Sequence, residues 1–249
     1  MPRRRLTTSD SVDLAARRWL TSEEPRAAIV LAHGFMAGSD DPAVVAVAEA
    51  LYERGFDVVT YDARGHGASG GLCTLGDRER HDVAAAVALA RLRSDRVLLV
   101  GASMGAIAVL RHAADDPHVA GTVIVSCPAR WALPRNLRSV LAALLTRTPP
   151  GRAVCARWLK VALASRWTNP EPPVELAART VAPLAVVHGT DDRFIPVQAA
   201  QELHSATAEP RRVEVVAGMG HAFDALAVVP ILDAVEWVLQ RVPVLAPEA

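Results

Sequence analysis

The chain has 249 residues, of which 51% are hydrophobic and 22% are charged. Its 27 basic and 27 acidic residues cancel, so we do not expect a nucleic-acid binder, which would carry a basic footprint. The apolar fraction is too large for a disordered chain. The length allows one or two domains, and we predict a single domain over residues 1–249.

Cysteine usage and the N-terminus indicate the compartment. The three cysteines are odd in number and lack metal-ligand spacing, so neither a disulfide framework nor a zinc site is expected. The N-terminus starts basic but then turns polar where a signal peptide needs an apolar run. No apolar stretch approaches the roughly 18 residues that span a bilayer. We therefore expect a cytoplasmic protein without a membrane span.

The predicted elements alternate along most of the chain. The first twenty residues predict an antiparallel hairpin around residues 8–11. Short apolar runs, typical of a parallel sheet covered on both faces, predict strands at 27–32, 58–61, 96–101, 121–126, 184–188 and 211–216. Helices are predicted at 42–54, 77–92, 104–114, 197–205 and 225–241. Alternating strands and helices predict an α/β fold with right-handed crossovers.

One interval interrupts this alternation. Between the strands ending at 126 and starting at 184 lie two proline-rich breaks and three of the five tryptophans. Two helices fit between the breaks, at about 135–145 and 152–165. We interpret the segment from about 127 to 182 as a helical cap inserted into the sheet domain.

A nucleophile elbow is predicted at Gly101-Ala102-Ser103-Met104-Gly105, where a strand meets a helix. The backbone there turns too sharply for bulky residues two positions either side of the serine. Ser103 would then project from the carboxyl edge of the sheet. The helix N-terminus beside it favours a developing negative charge. We therefore predict Ser103 as the nucleophile.

A serine hydroxyl needs a base and a third group that orients the base. Asp191 and Asp192 follow the predicted strand 184–188, and His221 follows the next strand in a glycine-flanked loop. This is the chain order serine, acid, histidine. His221 is therefore the predicted base, whereas spacing alone does not separate the two aspartates.

The loop after the first buried strand predicts an oxyanion hole. His33-Gly34-Phe35-Met36 can aim the backbone N–H of Phe35 at the nucleophile, together with the N–H of Met104. Two such donors stabilise a tetrahedral intermediate. Nothing in the sequence resembles a phosphate loop, a dinucleotide fingerprint or a metal-ligand cluster, so no cofactor or metal is expected.

A second motif supports a family resemblance. Residues 61–69, Tyr-Asp-Ala-Arg-Gly-His-Gly-Ala-Ser, resemble the turn Asp-x-Arg-Gly-His-Gly-x-Ser that α/β-hydrolases carry before the elbow. With the elbow, this motif makes the chain similar to the α/β-hydrolase superfamily, as an esterase- or lipase-like member, over essentially its whole length. The resemblance implies an α/β-hydrolase fold with a mostly parallel central sheet flanked by helices and a small helical cap. It also implies that Asp62, Arg64 and His66 are scaffolding.

The resemblance also bears on the acid. The family's acid stands three residues after the glycine of a His-Gly turn, which here implies Asp192. Ala106 departs from the third small glycine of many relatives, and alanine is tolerable there. A serine at position 103 excludes the aspartate nucleophile of dehalogenase-like relatives.

Apolar stripes in the predicted cap indicate the substrate class. An apolar lid over a serine tends to form an apolar pocket, and we predict Trp131 and Leu137 as substrate contacts. The predicted function is hydrolysis of a small-molecule carboxylic ester with an apolar acyl or aryl group, through an acyl-enzyme. A thioesterase, an amide or peptide hydrolase, a carbon–carbon bond hydrolase and a non-catalytic binder on the same fold remain alternatives.

Overall fold

The computed structural model describes residues 4–131, 137–166 and 168–242, without the side chains of 137–139. In this part of the chain the strands are β1 (Arg4–Thr7), β2 (Asp13–Trp19), β3 (Ala28–Ala32), β4 (Asp57–Tyr61), β5 (Val97–Ala102), β6 (Gly121–Val125), β7 (Leu184–Gly189) and β8 (Arg211–Val216). They form one eight-stranded sheet in the order β1-β2-β4-β3-β5-β6-β7-β8.

The sheet is antiparallel at one end and parallel through its middle. β1 pairs with β2 and β2 with β4 in antiparallel register, which confirms the predicted leading hairpin. All pairs from β4 through β3, β5, β6 and β7 to β8 are parallel. Every residue of the five strands β3 to β7 is buried, which explains their continuous apolar sequences.

Helices cover both faces of the sheet, as predicted. Their bounds are α1 (Pro42–Glu53), α2 (Arg80–Ala90), α3 (Met104–Asp115), α4 (Leu137–Arg147), α5 (Pro149–Val154), α6 (Pro173–Arg179), α7 (Gln198–Ala206) and α8 (Val228–Leu239). Side chains of α1 and α8 form one apolar core, and those of α2, α3, α6 and α7 form another on the opposite face. None of the helices in the described residues is long and apolar enough to cross a membrane.

The interval between β6 and β7, which we call the insertion (residues 127–182), holds α4, α5, a π-helical turn at Cys155–Leu159 and α6. The predicted helix 152–165 is wrong at its C-terminal end, because Lys160 adopts a left-handed backbone conformation (φ 56°). The chain beyond Lys160 bonds to the turn after β4 instead. Ala162 N–H donates to the Gly65 carbonyl at 2.8 Å, and Cys73 N–H donates to the Ala162 carbonyl at 2.7 Å.

Candidate active site

Ser103 lies between the end of β5 and the start of α3 in a strained backbone conformation, with φ 51° and ψ −112°. Its N–H donates to the Val125 carbonyl of β6 at 2.9 Å, which fixes the turn to the neighbouring strand. A Cβ at Gly101 would collide with the carbonyl of Gly105, and one at Gly105 would collide with β3. The packing therefore requires glycine two positions either side of Ser103.

His221 connects the serine to an acid. The Ser103 hydroxyl lies 3.0 Å from His221 Nε2, and His221 Nδ1 lies 2.7 Å from Asp192 Oδ2. An ionised carboxylate only accepts hydrogen bonds, so Nδ1 carries the proton and Nε2 presents its lone pair to the hydroxyl. The structure thus brings together the three side chains predicted for nucleophile, base and orienting acid.

The acid is held as an anion. The Asp192 side chain is fully buried, and its Oδ1 accepts the N–H groups of Phe194 at 2.9 Å and Ile195 at 3.0 Å. Burial raises the pKa of this carboxyl. The hydrogen bond and charge of His221 and the two N–H groups outweigh burial and hold its pKa below the ordinary value. Asp192 therefore contacts His221 as a carboxylate.

Asp191 has a different environment although it is adjacent in sequence. It is exposed, and its carboxylate accepts the hydroxyl of Thr190 at 3.0 Å. Its own N–H donates to the Met219 carbonyl at 3.0 Å. The two aspartates that spacing could not separate thus have distinct contacts, and only Asp192 contacts His221.

His188 supports the acid loop. It is fully buried, and its Nε2 lies 3.0 Å from the Ile195 carbonyl and 3.8 Å from Asp192 Oδ2. A carbonyl only accepts, so Nε2 carries the proton and donates it there. This contact fixes the backbone whose N–H bonds Asp192.

The loop after β3 runs beside the nucleophile. A Cβ at Gly34 would lie 3.5 Å from that of Ser103, so Phe35 follows directly on a residue in contact with the elbow. Met104 is the first residue of α3, where N–H groups lack partners within the helix. The role of Phe35 and Met104 as oxyanion donors remains a prediction.

His33 braces this loop as a neutral imidazole. Its Nδ1 donates to the Gly34 carbonyl at 2.8 Å, and its Nε2 accepts the N–H of Ala63 at 2.9 Å. Burial, with a smaller contribution from nearby His66, lowers the pKa of His33 to about 4. The neutral ring can donate on one side and accept on the other, and so ties the loop after β3 to the turn after β4.

That turn carries the second motif. Asp62 accepts the N–H of Ser39 at 2.7 Å and the N–H of Ala68 at 2.9 Å. Arg64 is buried and forms ion pairs of 2.8 Å with Asp10 and Asp82. These contacts are internal to the fold, in agreement with the interpretation of Asp62 and Arg64 as scaffolding.

Sequence reasoning missed Ser126. Its backbone is left-handed (φ 50°), its side chain is fully buried, and its hydroxyl accepts the N–H of Ala222 at 3.1 Å. Ala222 directly follows His221, so Ser126 fixes the loop that carries the base. No sequence signal could have found it, because the contact joins residues 96 positions apart.

The predicted substrate contacts lie in the insertion. The Trp131 indole N–H donates to the Pro170 carbonyl, and its half-buried ring packs on the core. The side chain of Leu137 lies outside the described residues. A cleft of about 490 Å³ separates Met36 and its loop from residues 159–161 of the insertion. The structure thus brings the insertion next to the loop after β3, and the roles of Trp131 and Leu137 remain predictions.

Cysteines and metal ligands offer no second centre in the described part of the chain. Cys127 is fully buried, and burial raises the pKa of its thiol well above the ordinary value, so a thiolate is disfavoured. No group of three or more histidine, cysteine, aspartate or glutamate side chains among the described residues could hold a metal ion.

The sequence matches a family profile and several curated proteins, among them two that are uncharacterized. The profile described as serine aminopeptidase, S33, matches residues 23–174. The uncharacterized protein YqkD of Bacillus subtilis is 27% identical over 68% of this chain and 57% of its own length. The uncharacterized protein Rv2307c of Mycobacterium tuberculosis is 28% identical over 70% of this chain and 56% of its own. The match thus spans little more than half the length of these curated relatives.

Solved structures share the fold. The esterase Pf2001 of Pyrococcus furiosus superimposes with a TM-score of 0.73 at 21% identity, over 96% of this chain and 91% of that chain. Est1E of Butyrivibrio proteoclasticus, solved with ferulic acid, gives a TM-score of 0.69 at 19% identity, over 96% and 98%. At sequence identities of 19–21%, these structures show only that this chain shares their fold.

Proposed function

The chain belongs to the family described as serine aminopeptidase, S33, and is an α/β-hydrolase; on that premise we propose that it hydrolyses carboxylic esters by a serine mechanism. One observation carries the proposal, namely the hydrogen-bonded line from Ser103 through His221 to Asp192 at the carboxyl edge of the sheet. A strained serine, an imidazole facing it and a buried carboxylate are together what nucleophilic catalysis requires.

In the proposed first half-reaction, the Ser103 oxygen attacks the ester carbonyl while its proton moves to His221 Nε2. The resulting imidazolium is stabilised by Asp192, which keeps the ring in the required tautomer and orientation. The oxyanion of the tetrahedral intermediate accepts the N–H groups of Phe35 and Met104. His221 then returns the proton to the leaving alcohol, and an acyl-enzyme is left on Ser103.

The second half-reaction repeats these roles with water. His221 takes a proton from water, the hydroxide attacks the acyl carbonyl, and the acid leaves as Ser103 recovers its proton. Each proton is accounted for by one imidazole. This mechanism needs no group beyond the chain's own side chains and backbone N–H groups.

We propose an apolar acyl or aryl group of modest size as the substrate's acid part. The cleft beside Met36 offers the apolar side chains of Leu159 and Val161 on its opposite wall, and charged residues, among them Asp40 and Lys160, line the rest of it. Trp131 and Leu137 remain the contacts proposed from sequence. The structural neighbours named as esterases point to the same bond, although their identity to this chain is low.

Peptide or amide hydrolysis is the second candidate, because the family description names an aminopeptidase. The same three side chains could act on an amide, provided that His221 protonates the poorer amine leaving group. Thioester and carbon–carbon bond cleavage use the same arrangement, and a binder without catalysis would need none of it.

A substrate panel tests the proposal. We expect turnover of p-nitrophenyl butyrate by the wild type and its loss, by at least ~10³-fold in kcat, in Ser103→Ala with an unchanged circular dichroism spectrum. Aminoacyl p-nitroanilides and acyl thioesters are assayed alongside. Faster cleavage of the anilides would replace the ester proposal with the peptidase candidate, and a folded Ser103→Ala protein with ordinary turnover would overturn the serine mechanism.

A further inference from the structure

Charge is distributed very unevenly along this neutral chain. No aspartate or glutamate occurs between Asp116 and Glu171. The same stretch contains eight basic residues, namely Arg130, Arg135, Arg138, Arg147, Arg152, Arg157, Lys160 and Arg166. Because the whole chain has a formal net charge of zero, the remainder carries the compensating negative charge. The insertion therefore carries an excess of basic over acidic residues.

The insertion also exposes large apolar side chains. Trp158 is 74% exposed, more than half of Leu141 and Leu144 is exposed, and Val140 and Val154 are nearly as open. Val140, Leu141 and Leu144 are spaced so that they share one face of α4. Burial against the sheet, which explains most apolar residues of this chain, does not explain these.

Exposed cations and exposed apolar side chains occur together in the insertion. The Arg157 guanidinium stands 5.5 Å from the centre of the Trp158 ring. Arg157, Lys160 and Arg166 are exposed, and none of them has a carboxylate partner within the described residues. Arg130, outside this group, is paired with Glu202 at 3.0 Å. We call Val140, Leu141, Leu144, Arg157, Trp158, Lys160 and Arg166 the cationic face.

We propose that the cationic face docks on a membrane surface rich in anionic lipids. Apolar side chains that insert between headgroups and basic side chains that contact lipid phosphates are the two elements of interfacial binding. Tryptophan beside arginine is suited to the headgroup region, where one side of the ring is apolar and the other is wet. Two copies of this chain paired symmetrically through this face would bring cations against cations, and a nucleic acid would leave the leucines unused.

Vesicle co-sedimentation tests this directly. The wild type is expected to sediment with vesicles of phosphatidylcholine and phosphatidylglycerol in equal parts, and not with phosphatidylcholine alone. Arg157→Glu/Lys160→Glu should weaken binding at least about tenfold, because each basic residue near an anionic surface contributes separately. Binding should also fall between about 0.1 M and about 1 M NaCl, where the screening length drops from about 10 Å to about 3 Å.

Matched variants elsewhere on the surface serve as controls. Arg54→Glu/Arg78→Glu changes net charge by the same amount at two exposed positions outside the insertion. Leu92→Ala is the counterpart of Trp158→Ala, because Leu92 is 75% exposed. Both controls should bind vesicles like the wild type, whereas Trp158→Ala should bind less tightly at unchanged thermal stability.

Three results would overturn the proposal. The first is absence of binding to anionic vesicles, and the second is binding that the paired reversal at Arg157 and Lys160 leaves intact. The third is a dimer in light scattering that Trp158→Ala dissociates, which would assign the face to a second copy of the chain. The vesicle readout needs no enzymatic turnover, so it stands or falls separately from the proposed ester hydrolysis.

Discussion

The catalytic edge of the sheet and the insertion lie side by side but are held in different ways. At the edge, the Asp192 carboxylate has three hydrogen-bond donors, and the Ser103 N–H is bonded to the neighbouring strand. The insertion instead exposes Leu141 and Trp158, and backbone hydrogen bonds at Ala162 tie it to the turn after β4. Several hydrogen bonds therefore fix the residues where the reaction is proposed, whereas few contacts constrain the side chains on the surface of the insertion.

The largest expected effect separates two neighbouring aspartates at the edge. Asp192→Asn should lower kcat by about 10⁴-fold, because an amide that donates to His221 favours the wrong tautomer. Asp191→Asn, the matched control, should change kcat by less than about threefold, since it contacts Thr190 and not His221. Steady-state kinetics of both variants show which aspartate is needed for turnover. A crippled Asp191 variant beside an active Asp192 variant would shift the proposed acid by one residue.

The next effect is on stability and its pH dependence. His33 has a pKa of about 4 when folded against an ordinary 6.5, so between these values the unfolded chain binds more protons. The free energy of unfolding should then fall on the order of 3 kcal/mol as pH drops through this range.

His33→Gln removes that titration and should flatten this part of the curve. Urea unfolding of wild type and variant between about pH 7 and about pH 4 measures the difference. Arg157→Gln, in the exposed insertion, is the control and should leave the slope unchanged. Parallel curves for wild type and His33→Gln would contradict a buried neutral His33.

A smaller effect is expected at Ser126, which acts through the His221 loop. Ser126→Ala removes the acceptor for the N–H of half-buried Ala222 and should lower kcat about tenfold at an unchanged KM. Thr122→Val is the matched control, because the Thr122 hydroxyl on the same strand has no hydrogen-bond partner in the described part of the chain. Equal kcat for both variants would mean that Ser126 only packs in the core and does not position His221. A loss of activity in Ser126→Ala that a lower Tm explains entirely would mean the same.

The smallest effect concerns substrate length. Met36→Asn should raise KM a few-fold more for an octanoate than for an acetate ester, because each buried methylene contributes about 0.8 kcal/mol. Trp131→Gln tests the contact predicted from sequence in the same series. If Trp131→Gln lowers kcat/KM equally for the acetate, butyrate and octanoate esters and also lowers Tm, then Trp131 serves only to hold Pro170. Leu92→Asn, at an exposed position that does not line the cleft beside Met36, should leave the series unchanged.

Much of the edge was predictable because its constraints are local. The strand expected at 121–126 is observed at Gly121–Val125, and the glycines required by the elbow are visible in the sequence. Asp191 and Asp192 were not separable, because the choice depends on which side chain the turn after β7 directs inward. The resemblance to α/β-hydrolases implied Asp192, which is the aspartate that contacts His221.

The insertion was less predictable because its elements end for tertiary reasons. The helix expected to reach 165 stops at Leu159, where Lys160 turns left-handed and residues 162–164 bond to the turn after β4. No helix was predicted at α6, although Pro173 occupies its first position, where a missing N–H costs no hydrogen bond. Ser126 fixes the loop after His221 through a hydrogen bond to the Ala222 N–H, and no sequence pattern encodes that contact.

Active-site labelling tests the central claim most directly. Folded wild-type protein treated with a fluorophosphonate should gain one adduct in its intact mass, and peptide mapping should locate it on Ser103. Ser103→Ala should gain none, and Asp192→Asn should react much more slowly than Asp191→Asn because His221 is no longer oriented. An unlabelled wild type, or an adduct on another serine that Ser103→Ala retains, would contradict the account.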